Sequence, residues 1–313
     1  MMRRPTTKRL WVTLLVGLAG FLAIPGLGAD EGPDRARGVG LSVAPGGLAI
    51  QSVTPGQTYD LAQRSGVVLR ISNHDSRPRT YRLSANKPSA VGNRKWLPGY
   101  LEIPDPTWFW FEQDQVTVQP ESDGLVKMYL KVPEGEQYDN QHWTVSIGVQ
   151  GISQPGEMLA LAAYPRYQIE TESKQDIKAI SVGPLGVMPS VLRFEDLPLG
   201  TEQEGRITLY NNDAKRKRYT LAVKTIPVDP TREQIIPSPG YAWIPEPGWM
   251  SVRKRRVVIK GQQNRTVTVR LNVPNEPEHY GKHWEALLWI EPDEGLPRFV
   301  RIQMEMVPAP VTE

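Results

Sequence analysis

Residues 98–113 read PGYLEIPDPTWFWFEQ, and residues 239–254 read PGYAWIPEPGWMSVRK. The correspondence continues without a gap. VPEGEQYDNQHW at 132–143 answers VPNEPEHYGKHW at 273–284, so 98–143 aligns with 239–284 at a constant offset of 141. Upstream, Asn73, Asp75, Tyr81 and Leu83 match Asn211, Asp213, Tyr219 and Leu221 at an offset of 138, which leaves three extra residues in the second copy. A duplication of this length means two successive folding units of one design.

The pattern between the matched blocks is that of strands and turns. Residues 67–72 (VVLRIS) and 206–210 (RITLY) come close to the two-residue alternation of a half-buried strand. Each runs into a polar turn whose Asn and Asp can bond their own backbone, and Tyr81 and Tyr219 open the next strand. Val116 and Val118 match Val257 and Ile259 as a short strand. GLVKMYLKV and RTVTVRLNV supply the next, and 143–149 and 284–290 the next again. Residues 158–169 and 297–307 close the two units. About seven strands per unit, with 29 prolines and 27 glycines in the chain and no long amphipathic helix, predict antiparallel β-sandwiches. The expected fold is all-β: two tandem immunoglobulin-like sandwiches at 30–172 and 173–308, a linker over 170–179 and a flexible tail at 309–313.

The N-terminus has the order of an export signal. Arg3, Arg4, Lys8 and Arg9 precede an apolar run from Leu10 to Ile24, and Leu27-Gly28-Ala29 supplies small residues before Asp30. Residues 1–29 are therefore expected to be a signal peptide, its apolar run short for a stable membrane span. Removing its four positive charges takes the formal charge from +3 to −1, which argues against a nucleic-acid binder. The chain has no cysteine, so disulfides, thiol chemistry and a lipid-modified cysteine are excluded. The expected location is the periplasm or the surface of a bacterium, with no transmembrane span in the mature chain.

The strand, Asn turn and Tyr-x-Leu start, followed by an alternating strand ending in Val-Pro and a strand opening with His-Trp, resemble exported bacterial Ig-like proteins. The group they most resemble is the periplasmic pilus-chaperone-like family. The pattern lies at 206–221 and 257–290, and again at 67–83 and 116–149. The resemblance implies fold more than function. Proteins with such domains serve as attachment modules, envelope scaffolds and pilus-assembly chaperones. A pilus chaperone carries an Arg and Lys pair in its interdomain cleft, and no motif here places that pair. The family's second domain also differs from its first, whereas these two units are alike.

Several residues invite a binding role. Trp110 recurs as Ser251 in the second copy, so the fold does not require an aromatic there, and an exposed Trp110 would suit a partner protein or a glycan. Tyr100 and Tyr241 sit on proline-pinned loops that could present them to a partner or seat them on their own sandwich. Lys215, Arg216, Lys217 and Arg218 form one basic run, and Arg253, Lys254, Arg255 and Arg256 another. The first copy has Arg77 and Arg79 at the first place, and Glu112 and Asp114 at the second. An anionic envelope polymer, anionic lipid or acidic protein is the expected counterpart.

No catalytic set emerges: there is no nucleophile elbow, zinc-protease helix, phosphate loop or dinucleotide fingerprint. His74, His142, His279 and His283 show no metal-ligand spacing on a regular element. The chain is thus expected to be no enzyme and to need no cofactor or metal. The expected role is an exported scaffold or protein-binding module of the cell envelope. The alternatives are a chaperone-like assembly factor for pili or other surface fibres, and a polysaccharide-binding or anionic-polymer-binding module.

Overall fold

A computed structural model describes residues 11–15 (backbone alone), 40–92, 97–153, 160–177, 183–225 and 235–309. Most of the expected signal, part of the linker, residues 158–159 and the tail beyond 309 lie outside the described residues.

The first unit contains β1 (Trp11–Leu15), β2 (Leu41–Ala44), β3 (Gly47–Val53), β4 (Thr58–Asp60), the short helix α1 (Leu61–Ser65), β5 (Leu69–Asn73), β6 (Arg79–Asn86), β7 (Leu101–Glu102), β8 (Phe109–Phe111), β9 (Gln115–Val118), β10 (Ser122–Val126), β11 (Met128–Lys131), β12 (His142–Gly151), β13 (Ala162–Ala163) and β14 (Arg166–Thr171). The second contains β15 (Leu185–Met188), β16 (Val191–Leu197), β17 (Gln203–Asn211), β18 (Lys217–Lys224), β19 (Ala242–Trp243), β20 (Met250–Val252), β21 (Arg256–Ile259), β22 (Gln263–Leu271), β23 (His283–Pro292) and β24 (Arg298–Met306).

In the first sandwich one sheet runs β1-β3-β14-β12-β6-β9, facing β10-β5-β2 and β4-β11-β8. In the second, β16-β24-β23-β18-β21 faces β15-β17-β22-β20. The opening strand of each unit changes sheets, between β2 and β3 and between β15 and β16, at the cis peptides Ala44-Pro45 and Met188-Pro189. Its second half then runs parallel to the closing strand, β3 beside β14 and β16 beside β24.

Alternation builds both cores. Trp143, Val145, Ile147 and Val149 of β12 meet Leu69, Ile71, Met128 and Leu130 in one. Leu221, Leu288, Ile290, Val300 and Ile302 meet Leu209, Val267 and Val269 in the other. Each such aliphatic side chain contributes about 1.5–3 kcal/mol when removed from water.

The polar turn is built identically twice. Asn73 donates to the carbonyls of Arg77 (2.8 Å) and Val118 (3.1 Å). Asn211 donates to those of Lys215 (2.8 Å) and Ile259 (3.1 Å). Each amide joins its own turn to the neighbouring strand, which is why both units keep Asn there.

Two expectations need correction. GLVKMYLKV is not one strand: it breaks at Lys127 into β10 and β11, because α1 interrupts the partner chain between β4 and β5. The second unit has no such helix, and β22 pairs with β17 over nine residues. The linker also starts later than Glu170. Glu170 and Thr171 finish β14, with Glu170 opposite His142 in the ladder. Among the described residues no helix is long and apolar enough to cross a membrane.

Candidate functional site

Each sheet gives one face to its own core and turns the other outward. The outward face of β23 and β24 carries Leu287, Trp289, Phe299, Arg301 and Gln303, all buried. They are buried because the first unit lies against them. The Phe299 ring stacks on His142 at 4.1 Å between centroids, and Tyr100 and Trp289 flank Phe299 at 5.5 and 6.2 Å.

Arg301 is the hub of this seam. Its Nε donates to Glu170 Oε2 and its Nη2 to Glu170 Oε1, both at 2.7 Å, a bidentate pair across the two units. Nη1 serves Glu285 and the Ile236 carbonyl. Tyr100 donates its hydroxyl to Glu170 at 2.5 Å, and Gln303 donates to Glu285 at 2.9 Å. Burial pushes the Glu170 carboxyl up, but the Arg301 guanidinium more than reverses this and holds it at about 2. Burial also drives the Tyr100 phenol well above its ordinary range, with the Glu170 charge adding to the effect. His142 is held neutral, at about 3, by burial.

Arg298 is a second guanidinium in the seam. It donates to Gln141 Oε1 at 3.4 Å, while its Nε and Nη1 meet no acceptor among the described residues. At the hinge, Asn140 accepts from the backbone amides of Lys174 and Ser190 (3.0 and 2.8 Å) and donates to the Lys174 carbonyl. One asparagine thus fastens both the first and the second unit. Beside the seam opens a polar cleft of about 920 Å³ lined in part by Tyr59, Arg64, Arg193, Tyr241, Arg301 and Glu305. Arg301 reaches this cleft with its fork already occupied by two carboxylates.

The sequence candidates are distributed unevenly. Tyr100 is buried in the seam, so it contacts the chain's own second unit and is closed to an outside partner. Tyr241 lines the cleft and donates to Glu305. Trp110 is 37% exposed, lies flat on Tyr129 at 5.6 Å and borders a shallow pocket of about 460 Å³ with Trp108, Lys131 and Glu134. The basic runs, separated in sequence, come together. β18 and β21 are adjacent strands, with Lys217 opposite Ile259 and Thr220 opposite Arg256. Lys217 pairs with Asp213, as Arg79 pairs with Asp75 in the first unit. Lys215, Arg216, Arg218 and Arg253 to Arg256 are exposed.

Two features escaped the sequence reading. The backbone of Trp11–Leu15 lies antiparallel on the outer edge of β3, Trp11 opposite Gln51 and Leu15 opposite Gly47. Glu276, Glu278 and His279 also bring their ligand atoms within 4.8 Å of one another, with both glutamates exposed. The second arose in a loop where linear spacing gave no signal.

No family model matches this chain, and no curated protein matches it. Solved structures do. One is a protein of unknown function from Porphyromonas gingivalis W83, at 12% identity, covering 85% of this chain and 99% of that one, TM-score 0.31. The periplasmic chaperone SfaE matches at 12% identity over 84% and 99%, TM-score 0.28. The E. coli chaperone DraB matches at 12% over 86% and 98%, TM-score 0.29. At such identities and TM-scores the likeness carries no argument about this chain, whose fold rests on its own strands and sheets. The chain is all-β, with two tandem immunoglobulin-like sandwiches.

Proposed function

We propose that this chain is an exported, non-catalytic protein-binding module of the bacterial envelope, and that residues 1–29 act as its export signal. Its partner contributes an extended apolar segment that adds as a strand to the edge of β3. The supporting observation is the antiparallel strand that Trp11–Leu15 forms on that edge. β3 spends its other side on β14, so release of the signal leaves a row of unpaired backbone groups next to residues 47–51. Such a row is a template for strand addition. The seam through Arg301 holds the second unit against the first and gives the edge a rigid support.

A chaperone-like assembly factor for surface fibres is the second reading, favoured by the same edge, which would shield the exposed strand of a subunit. A photo-crosslinking residue at exposed Ser52, beside the edge, is expected to capture an envelope protein in growing cells. One at Ser251, on the second unit, is expected to give no such product. Equal capture from both positions, or none from Ser52, would remove the strand-edge reading.

A further inference from the structure

The two basic runs form one stripe, and its chemistry goes beyond a protein-binding edge on the first unit. Arg216 and Lys215 lie at one end of the β18/β21 ladder, and Arg253, Lys254 and Arg255 at the other, where the Leu221 amide donates to the Arg255 carbonyl. At about 3.3 Å per residue the stripe spans roughly 17 Å. Tyr219 and Val257 face the core, so Arg218 and Arg256 project from the opposite face. Among the described residues none of Arg216, Arg218, Arg253, Lys254, Arg255 and Arg256 has a carboxylate in ion-pair range. The acidic groups nearby are Asp213, which is spent on Lys217, and the Glu291, Asp293 and Glu294 hairpin on the β23 side.

The duplication supplies its own control. Where the second unit has Arg-Lys-Arg-Arg at 253–256, the first has Glu-Gln-Asp-Gln at 112–115. The backbone around it is the same: Leu83 donates to the Asp114 carbonyl as Leu221 does to the Arg255 carbonyl, and β9 pairs with β6 as β21 pairs with β18. The fold therefore tolerates either sign at this edge, and protecting an edge strand does not require cations. The ion pair that both units keep is the turn pair, Asp75 with Arg79 and Asp213 with Lys217. The remaining charge is surplus to the fold.

We infer that this stripe docks the second unit on a surface of phosphate-bearing anionic lipid. Arginine predominates, and its planar fork matches phosphate oxygens two at a time. The charges are spread along a ladder and do not converge on one point, which suits an array of headgroups over a single small anion. Partitioning should be electrostatic, strong at low salt and lost at high salt.

The test uses protein beginning at residue 30, the form that release of the signal leaves, and co-sedimentation with phosphatidylglycerol-containing vesicles, pure phosphatidylcholine vesicles serving as the reference. Binding is expected only to the anionic vesicles. Giving the stripe the first unit's residues, Arg253→Glu, Lys254→Gln, Arg255→Asp and Arg256→Gln, is expected to weaken binding at least about 100-fold with an unchanged melting midpoint. A second variant, Arg216→Gln with Arg218→Thr, is expected to weaken it about 30-fold. Equal binding to both vesicle types, or full binding by the first variant, would overturn the proposal. Retention on soluble polyphosphate or an acidic protein without vesicle binding would also overturn it, assigning the stripe to a soluble polyanion.

Discussion

Replacing Arg301 by Met should be among the most damaging single changes in this protein. Arg301 is 1% exposed and bridges two carboxylates, Glu170 and Glu285, that are themselves buried. Met keeps much of the aliphatic volume but strands both acids without their counter-ion. Removing one partner of a buried pair costs about 3–5 kcal/mol. The Glu170 carboxyl points the same way: burial pushes it up, and the Arg301 charge more than reverses this, so without Arg301 the buried carboxylate is left uncompensated. For a chain of this size the loss corresponds to a fall of about 10 °C in melting temperature. Urea unfolding at neutral pH measures the loss. Adding Glu170→Gln and Glu285→Gln to Arg301→Met should recover part of it, because both stranded carboxylates are then gone and only the buried Arg298 keeps its charge. A loss under about 1 kcal/mol, or no recovery in the triple variant, would refute the ion-pair account of the seam.

Other outcomes follow from the same geometry. Burial holds His142 at about 3 against an ordinary 6.5, so the unfolded or opened chain takes the proton first. Stability is then full above about pH 6.5, and about 2 kcal/mol is lost by about pH 5. Glu170 favours the charged ring while Arg298 and Arg301 oppose it, and the stability that Glu170 itself contributes is lost only as pH falls below its ordinary 4.5. A His142→Gln variant should therefore flatten unfolding midpoints between these two values. Gly99 and Gly240 both have positive φ, at 94° and 87°, but a Cβ on Gly99 would lie 2.6 Å from Phe299 and one on Gly240 would meet nothing within 4 Å. Gly240→Ala should cost about 1 kcal/mol and Gly99→Ala clearly more in the same denaturation assay. Asn73→Ala and Asn211→Ala each orphan buried carbonyls and should each cost about 2 kcal/mol, similar to each other because the two amides make the same bonds.

The fold was legible because its determinants are local and written twice. The Asn turns, the Tyr-x-Leu strand starts and the alternation through 143–149 each specify a strand or a turn within a few residues. The seam was not legible, because it depends on which outward face meets which. The repeat aligns His142 with His283, yet His142 is fully buried under Phe299 while His283 is exposed. It likewise made Tyr100 and Tyr241 equals, although only Tyr100 is sealed between the units. One signal was present. In β23 the run from Ala286 to Ile290 is apolar at every position, as is expected of a strand covered on both faces. In β24, Phe299 stands on the face that the core does not use. The basic runs were visible as charge, but their union required the pairing of β18 with β21.

Amide hydrogen exchange over residues 47–53, in protein beginning at residue 30 with and without the crosslinked partner's apolar segment as a synthetic peptide, tests the central claim most directly. The account predicts fast exchange for edge amides of 47–51 in the free protein, and marked slowing on peptide addition with little change in β18 and β21. Edge-facing amides of 47–51 already slow in the free protein, or unmoved by a peptide that binds, would contradict it.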